Sequence, residues 1–245
     1  MNDKSGKNIF IVKKREVLNP DVVRLEFVPE DGGPVKFKAG QYITLYFLDS
    51  SFGWQGKSYS IASTPGEAVS DGGFISIIVR KIGGFSGALH ELKIGDKVKI
   101  EGPTGYFYPS PKADRLVFIA AGIGVSPFWS IIKSFKSTGE LKNKKIILLY
   151  SNRTRASAVF FDELNEMAVN NDNLKVIHFL TRSDGENASA QELHRIDGEA
   201  LTKYTSSPPE DEYLICGPIG FVNDMWGALK EKKIPEEKII TEAFY

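Results

Sequence analysis

The chain has 245 residues, 42% of them apolar, with 31 Lys and Arg against 31 Asp and Glu and a single cysteine, Cys216. The apolar share supports a packed core and excludes a disordered chain. The balanced charge advertises neither nucleic acid nor a membrane surface. One cysteine excludes a disulfide framework and an iron–sulfur cluster, which needs about four thiolates. The three His residues lie far apart and show no metal-ligand spacing. No apolar run approaches the roughly 18 residues of a membrane span, so the expectation is a soluble, cytoplasmic protein of one large or two ordinary domains.

The first half reads as short strands. Asn8 to Val12, Val22 to Val28, Tyr42 to Leu48, Ile75 to Arg80 and Lys97 to Glu101 are rich in β-branched and aromatic residues. Turn chemistry separates them: Asn19-Pro20-Asp21, Asp31-Gly32-Gly33-Pro34, Lys38-Ala39-Gly40 and Ser70-Asp71-Gly72-Gly73. Only Ser86 to Leu92 looks helical there. Closely spaced strands with one short helix predict a small antiparallel barrel.

After Tyr108-Pro109-Ser110-Pro111 the pattern changes. Leu116 to Ala120 is a continuous apolar run, followed by a Gly turn and an amphipathic stretch, Pro127 to Lys136. Lys145 to Tyr150, Leu174 to Leu180, Glu212 to Cys216 and Lys238 to Thr241 read as further strands, with helices over Ala158 to Val169 and Gly220 to Lys232. Strand–helix alternation predicts a parallel sheet covered on both faces. The expected division is a barrel domain over 1–109 and an α/β domain over 110–245.

Four segments could carry chemistry. Lys57-Ser58-Tyr59-Ser60-Ile61-Ala62-Ser63 is, by itself, an ordinary alternating strand. Gly83-Gly84-Phe85-Ser86 is a Gly-rich turn before a helix for which Ser86 is a good N-cap. Its backbone N–H groups and the positive helix end can receive a diphosphate. Ala121-Gly122-Ile123-Gly124-Val125-Ser126-Pro127 joins a buried strand to a helix. It lacks the third glycine of the strict dinucleotide fingerprint, and the next strand ends Leu149-Tyr150 with no acidic residue. Cys216-Gly217-Pro218 ends a strand in a turn, and a lone buried Cys is more often a small core residue than a reactive one.

In this order and spacing the segments resemble the ferredoxin–NADP reductase family of flavoenzymes, from about Phe10 to the last residue. The resemblance implies a barrel that holds FAD and an α/β domain that delivers NAD(P)H, with a hydride passing from nicotinamide to flavin N5 across the domain cleft. It places a flavin phosphate on Lys57, the isoalloxazine on Tyr59 and flavin N5 near Ser60, with Ser58 between them. Where the family has Arg, this chain has Lys57, which keeps the charge but loses the bidentate fork. The FAD diphosphate falls on Gly84, Phe85 and Ser86, and further flavin contacts fall on the strand carrying Ile77, Val79 and Arg80. Gly95-Asp96 and Gly102 to Phe107 resemble the strand that closes the family's barrel and the turn after it.

For the nucleotide, the resemblance implies Gly122, Gly124 and Pro127 at the diphosphate, since Gly-x-Gly-x-x-Pro is the family's usual form. Arg153, Thr181 and Arg182 match positions at the adenosine phosphate. Arg155 and Arg195 carry no such match, and NADH against NADPH stays open. Cys216, Gly217 and Pro218 shape the nicotinamide pocket, with Cys216 positioning rather than attacking. Glu242 and Phe244 match a terminal carboxylate and an aromatic that covers the flavin, with Tyr245 one residue beyond. Ser60, Cys216 and Glu242 are the polar side chains expected at the reacting contact. The expected acceptor is a separate molecule such as ferredoxin or flavodoxin. Alternatives are a reductase of free flavin or another small molecule, or an FAD-containing regulatory or electron-relay subunit.

Overall fold

The computed structural model describes residues 8–182, 192–205 and 211–244. The chain divides into two compact units, Met1–Tyr106 with Trp129–Ser134, and Phe107–Phe128 with Phe135–Tyr245.

The first unit holds β1 (Ile9–Asn19), β2 (Val22–Pro29), β3 (Tyr42–Phe47), β4 (Lys57–Ser60), β5 (Ile75–Arg80) and β6 (Lys97–Thr104). They pair antiparallel in the order β4-β3-β6-β1-β2-β5. The outer strands of that order meet through the Ile61–Ile77 bridge and the Ala62 N–H to Ser76 carbonyl bond at 2.7 Å, which closes the sheet into the expected barrel. Alternation explains the filling: Ile43 and Leu45 on β3, Ile75, Ile77 and Val79 on β5, and Val98 and Ile100 on β6 all turn inward and are buried.

Two details depart from expectation. β1 runs to Asn19 rather than stopping at Val12, because an irregularity between Val12 and Lys14 lets the polar Lys13–Glu16 stretch stay paired with β2 on the barrel surface. A second helix, α1 (Pro65–Val69), precedes α2 (Gly84–Glu91). Five residues carry no amphipathic period, yet the caps specify α1. Thr64 Oγ1 accepts from the Glu67 N–H at 3.1 Å, and the Glu67 carboxylate accepts from the Thr64 N–H at 2.7 Å.

The second unit is a parallel sheet of β7 (Arg115–Ala121), β8 (Lys145–Asn152), β9 (Leu174–Leu180), β10 (Glu212–Pro218) and β11 (Ile239–Phe244). Its order is β11-β10-β7-β8-β9. The helices are α3 (Ser126–Thr138), whose middle residues Trp129–Ser134 group with the first unit, α4 (Phe161–Val169), α5 (Gly198–Tyr204) and α6 (Ile219–Glu231). α4 begins three residues later than expected, since Phe160 sits at φ 60 just before it. α5 went unread because its seven residues give little period; Asp197 caps it, accepting from the Ala200 N–H at 2.8 Å. The strand order matters for function. The chain builds outward from β7 through β8 to β9, then returns to lay β10 on the other side of β7. Ligands of such sheets bind beyond the carboxyl ends of the strands where the order reverses, here β7 and β10.

Candidate functional site

In the first unit, β4 lies against β3 with Leu45 opposite Lys57, Ile43 opposite Tyr59 and Tyr42 opposite Ser60. Alternation sends Lys57 and Tyr59 to one side and Ser58 and Ser60 to the other. The Tyr59 ring packs on the barrel core, and burial pushes its hydroxyl up to about 12. Lys57 is exposed and makes no ion pair among the described residues. Ser58 Oγ shares a 3.2 Å hydrogen bond with Thr44 Oγ1.

The start of α2 corrects one expectation. Ser86 is not the N-cap: Gly83 holds that position, and Ser86 lies three residues on. The Ser86 hydroxyl accepts from the N–H groups of Ile82 (2.9 Å) and Gly83 (3.0 Å) and donates to the Gly83 carbonyl (3.1 Å). It shapes the turn. The first helical N–H groups, on Gly84 and Phe85, have no carbonyl inside the helix. A Cβ at Gly83 would meet nothing within 4 Å, and one at Gly84 only Phe52 Cε1 at 3.7 Å, so a diphosphate has open access to those N–H groups. Phe85 itself is buried. Ile77 and Val79 turn their side chains into the barrel core by the period of two, so a flavin contact on this strand would fall to backbone atoms. The Val79 carbonyl already faces His90 Nε2 at 3.0 Å. The open cradle at α2 and the free Lys57 cation fit a flavin dinucleotide.

Replacing Lys57 by Arg tests that placement. The fork should tighten FAD or leave it unchanged, read by titrating apo-protein with FAD. A large loss of affinity would show that Lys57 does not face the phosphate.

In the second unit, β7 ends in Gly122 at φ 55 and a tight turn, Gly122–Val125, before α3. Pro127 sits in the first turn of α3, where its fixed φ suits the helix. Gly124 lies on the backbone of β10: a Cβ there would fall 2.3 Å from the Cys216 carbonyl oxygen and 2.9 Å from Gly217 Cα. A Cβ at Gly217 would meet Phe221 Cδ1 at 2.9 Å and Ala121 Cβ at 3.1 Å. These glycines allow the β7 turn and the end of β10 to touch.

Register brings the remaining candidates beside them. Cys216 pairs with Ala120 on one side and Glu242 on the other, and Pro218 pairs with Phe244. Cys216 is buried, and burial first and the Glu242 carboxylate second push its thiol well above its ordinary range. It is a neutral thiol, suited to positioning. Tyr245 lies outside the described residues. Ser60, the third candidate for the reacting contact, belongs to the first unit.

The segments beyond β8 and β9 are joined: Thr181 N–H donates to the Asn152 carbonyl at 3.0 Å and Arg182 N–H to the Arg153 carbonyl at 2.8 Å. This brings Arg153 and Arg182, both exposed, to one edge. Arg155 is committed elsewhere, paired with Asp162 at 2.8 Å and lying over the Phe161 ring at 5.0 Å. Arg195 is exposed, and its carbonyl faces His194 Nδ1. Asn152 stands beside Arg153 in a stretch, Asn152-Arg153-Thr154, that also resembles NADH-using relatives, but was not itself expected at the site. It is 6% exposed, and neither amide atom finds a partner among the described residues. Such a group is costly unless completed, and its place at the carboxyl edge fits a polar ligand there. Among the described residues no His, Cys, Asp and Glu cluster could hold a metal, and no helix is long and apolar enough to cross a membrane.

Comparison with known proteins agrees with this division. A family profile described as an oxidoreductase FAD-binding domain matches residues 9–108, and one described as an oxidoreductase NAD-binding domain matches 118–226. The ferredoxin reductase component of a 3-ketosteroid-9-alpha-monooxygenase from Mycobacterium tuberculosis is 29% identical over 86% of this chain and 55% of its own length. A flavohemoprotein from Bacillus subtilis is 28% identical over 96% of this chain and 58% of its own. The chain thus spans little more than half of these relatives. A ferredoxin NADP+ reductase from Neisseria gonorrhoeae, solved with bound FAD and NADP, shares the fold with TM-score 0.82 at 20% identity, covering 97% of this chain and 98% of that one. With the two profiles together taking in most of the sequence, and each falling on the unit whose geometry suits its cofactor, the chain belongs to the ferredoxin–NADP reductase-like flavin oxidoreductases, which use FAD and NAD(P)H.

Proposed function

We propose that this protein takes a hydride from NADPH onto FAD and passes the electrons to a separate protein acceptor, a ferredoxin, a flavodoxin or an oxygenase component. The carrying observation is the meeting of Gly124, Cys216 and Glu242 where β7, β10 and β11 end, at the reversal of strand order. Bound FAD would supply the chemistry the side chains lack, accepting an electron pair and releasing it one electron at a time. Lys57 and the N–H groups of Gly84 and Phe85 hold the flavin diphosphate. The turn of Gly122 and Gly124, with Pro127 in the helix after it, receives the nucleotide diphosphate. Gly217 and Pro218 shape the nicotinamide pocket, Cys216 packs there as a neutral thiol, and Glu242 sets the local charge. A separate acceptor is supported by the single cysteine, which leaves these residues without a cluster of their own, and by the Mycobacterium relative's description as a reductase component.

NADPH is favoured over NADH because Arg153 and Arg182 are exposed, adjacent and without an ion pair among the described residues. Replacing both by Ala should raise KM for NADPH about tenfold or more, as expected for charge-assisted bonds to a phosphate, and leave KM for NADH within about twofold. Steady-state rates with both nucleotides and a panel of acceptors test the reading. Fast reduction of a one-electron protein acceptor with NADPH is expected. Equal losses for both nucleotides in the double variant would give the arginines to the shared diphosphate, and turnover only with free flavin would overturn the separate protein acceptor.

A further inference from the structure

We infer that Ser130 is a positioning residue for the flavin: through the Ser63 carbonyl it holds the exit of β4, and so fixes where Ser60 stands. The inference rests on the reading of β4 as the isoalloxazine strand, with Ser60 near flavin N5.

Ser130 is a polar residue in an apolar stretch of α3. Ile131 and Ile132 beside it are buried, and Ser130 itself is fully buried. A serine inside a helix commonly turns its hydroxyl to solvent or to the carbonyl one turn back. The Ser130 hydroxyl instead donates to the Ser63 carbonyl, 67 residues away in sequence, at 2.6 Å. Both residues belong to the first unit.

Ser63 stands three residues past Ser60 and is also fully buried. Its own hydroxyl accepts from the Ser76 N–H at 2.9 Å. Between Ser60 and Ser63, the Ile61 N–H donates to the Gln41 carbonyl at 2.9 Å and the Ala62 N–H to the Ser76 carbonyl at 2.7 Å. The strand that precedes these ties is short. β4 has four residues and stands at one end of the sheet order, with β3 its neighbour. Where so short a strand ends is set by how the chain after it is anchored. The anchors at Ile61 and Ala62 come from the barrel backbone. The anchor on the Ser63 carbonyl comes from a side chain of α3. Without that donor a buried carbonyl is left unpaired, a cost the chain relieves by shifting Ser63. Ser60 shifts with it, and small displacements are expensive in a positioned reaction.

A second bond from α3 lies one turn on, from Lys133 Nζ to Glu67 Oε1 at 2.8 Å. Glu67 caps α1, so this ion pair grips α1 rather than the end of β4. It serves to separate a general grip of α3 from the specific role of Ser130.

The test is the rapid-mixing rate of flavin reduction by NADPH, at full FAD occupancy, for wild type, Ser60→Ala, Ser130→Ala and the double variant. Each single change should slow reduction about tenfold, as for loss of one hydrogen bond. The double variant should also be slowed about tenfold, not about 100-fold, because Ser130 acts through Ser60. Ser130→Cys, close in size and a weak donor, should fall between wild type and Ser130→Ala, and keeps the test if the Ala variant does not fold. Lys133→Met should stay within about twofold of wild type. Losses that multiply in the double variant, no loss in Ser130→Ala, or an equal loss in Lys133→Met overturn the inference. Failure of the underlying reading looks different: Ser60→Ala alone would then reduce its flavin at the wild-type rate.

Discussion

Replacing Gly124 by Ala is expected to lower the rate of flavin reduction by NADPH about 100-fold without emptying the flavin site. The added methyl would sit 2.3 Å from the Cys216 carbonyl oxygen and 2.6 Å from its carbon, and neither can rotate away because both are backbone. The turn after β7 and the end of β10 must separate by about 1 Å, a displacement of the size that costs about 100-fold in a positioned reaction. The Lys57 strand and α2 lie in the other unit, so FAD content should stay at the wild-type level. Two further variants give the prediction its shape. Gly217→Ala should be milder, since its nearest contact at 2.9 Å is the edge of the Phe221 ring, a side chain that can turn. Gly227→Ala, inside α6 with nothing within 4 Å, should stabilise the protein by about 0.5–1 kcal/mol through helix propensity. Flavin content, rapid-mixing kinetics and thermal melts separate the three. An unimpaired Gly124→Ala protein would mean that the β7 turn does not place the nucleotide.

Acidification should weaken the second unit through His178. This ring is buried, stacked on Phe161 at 3.9 Å, with Nε2 at 3.0 Å from Asn165 Oδ1 and no partner for Nδ1 among the described residues. Burial lowers its pKa from 6.5 to about 4, against the pull of Asp162 and with a smaller push from Arg155. The sign follows directly. Above pH 6.5 the ring is neutral in both folded and unfolded chains, and its contribution is fully present. As pH falls the unfolded chain takes up the proton first, so stability is lost progressively and is gone by the folded value near 4. The loss is roughly 3 kcal/mol. His194 acts in the opposite sense: the Arg195 carbonyl first, and Glu192 after it, raise its pKa, so it favours the fold on acidification. The difference between wild type and His178→Gln isolates the effect. Denaturant midpoints measured from pH 7.5 to pH 4.5 should fall more steeply for the wild type; parallel curves would mean that His178 titrates normally.

Much of the fold was legible because its signals are periodic. β5 and β9 run over the residues that alternation and apolar continuity marked. The helices that escaped notice, α1 and α5, are too short for a period, and their caps, Thr64 with Glu67 and Asp197, carry the information instead. The sites were legible to a different depth. The glycines could be named through the family resemblance, but only the structure shows that Gly124 is pressed against Cys216 and that Ser86 spends its hydroxyl on its own turn. Ile77 and Val79 were read as lying on a strand that contacts flavin in relatives; their strand was correctly placed, and the period of two turns their side chains into the core. Asn152 could be read in the sequence only as a neighbour of Arg153, and its burial with neither side-chain amide atom partnered among the described residues is visible only in the structure.

The most direct test of the central claim is anaerobic rapid mixing of the FAD-loaded protein with NADPH, unlabelled and deuterated at the nicotinamide C4. The visible flavin absorbance should bleach, more slowly with the deuterated nucleotide, and return when an oxidised one-electron protein acceptor is added. Flavin that stays oxidised with NADPH and with NADH would contradict the assignment of this chain as a hydride-accepting reductase.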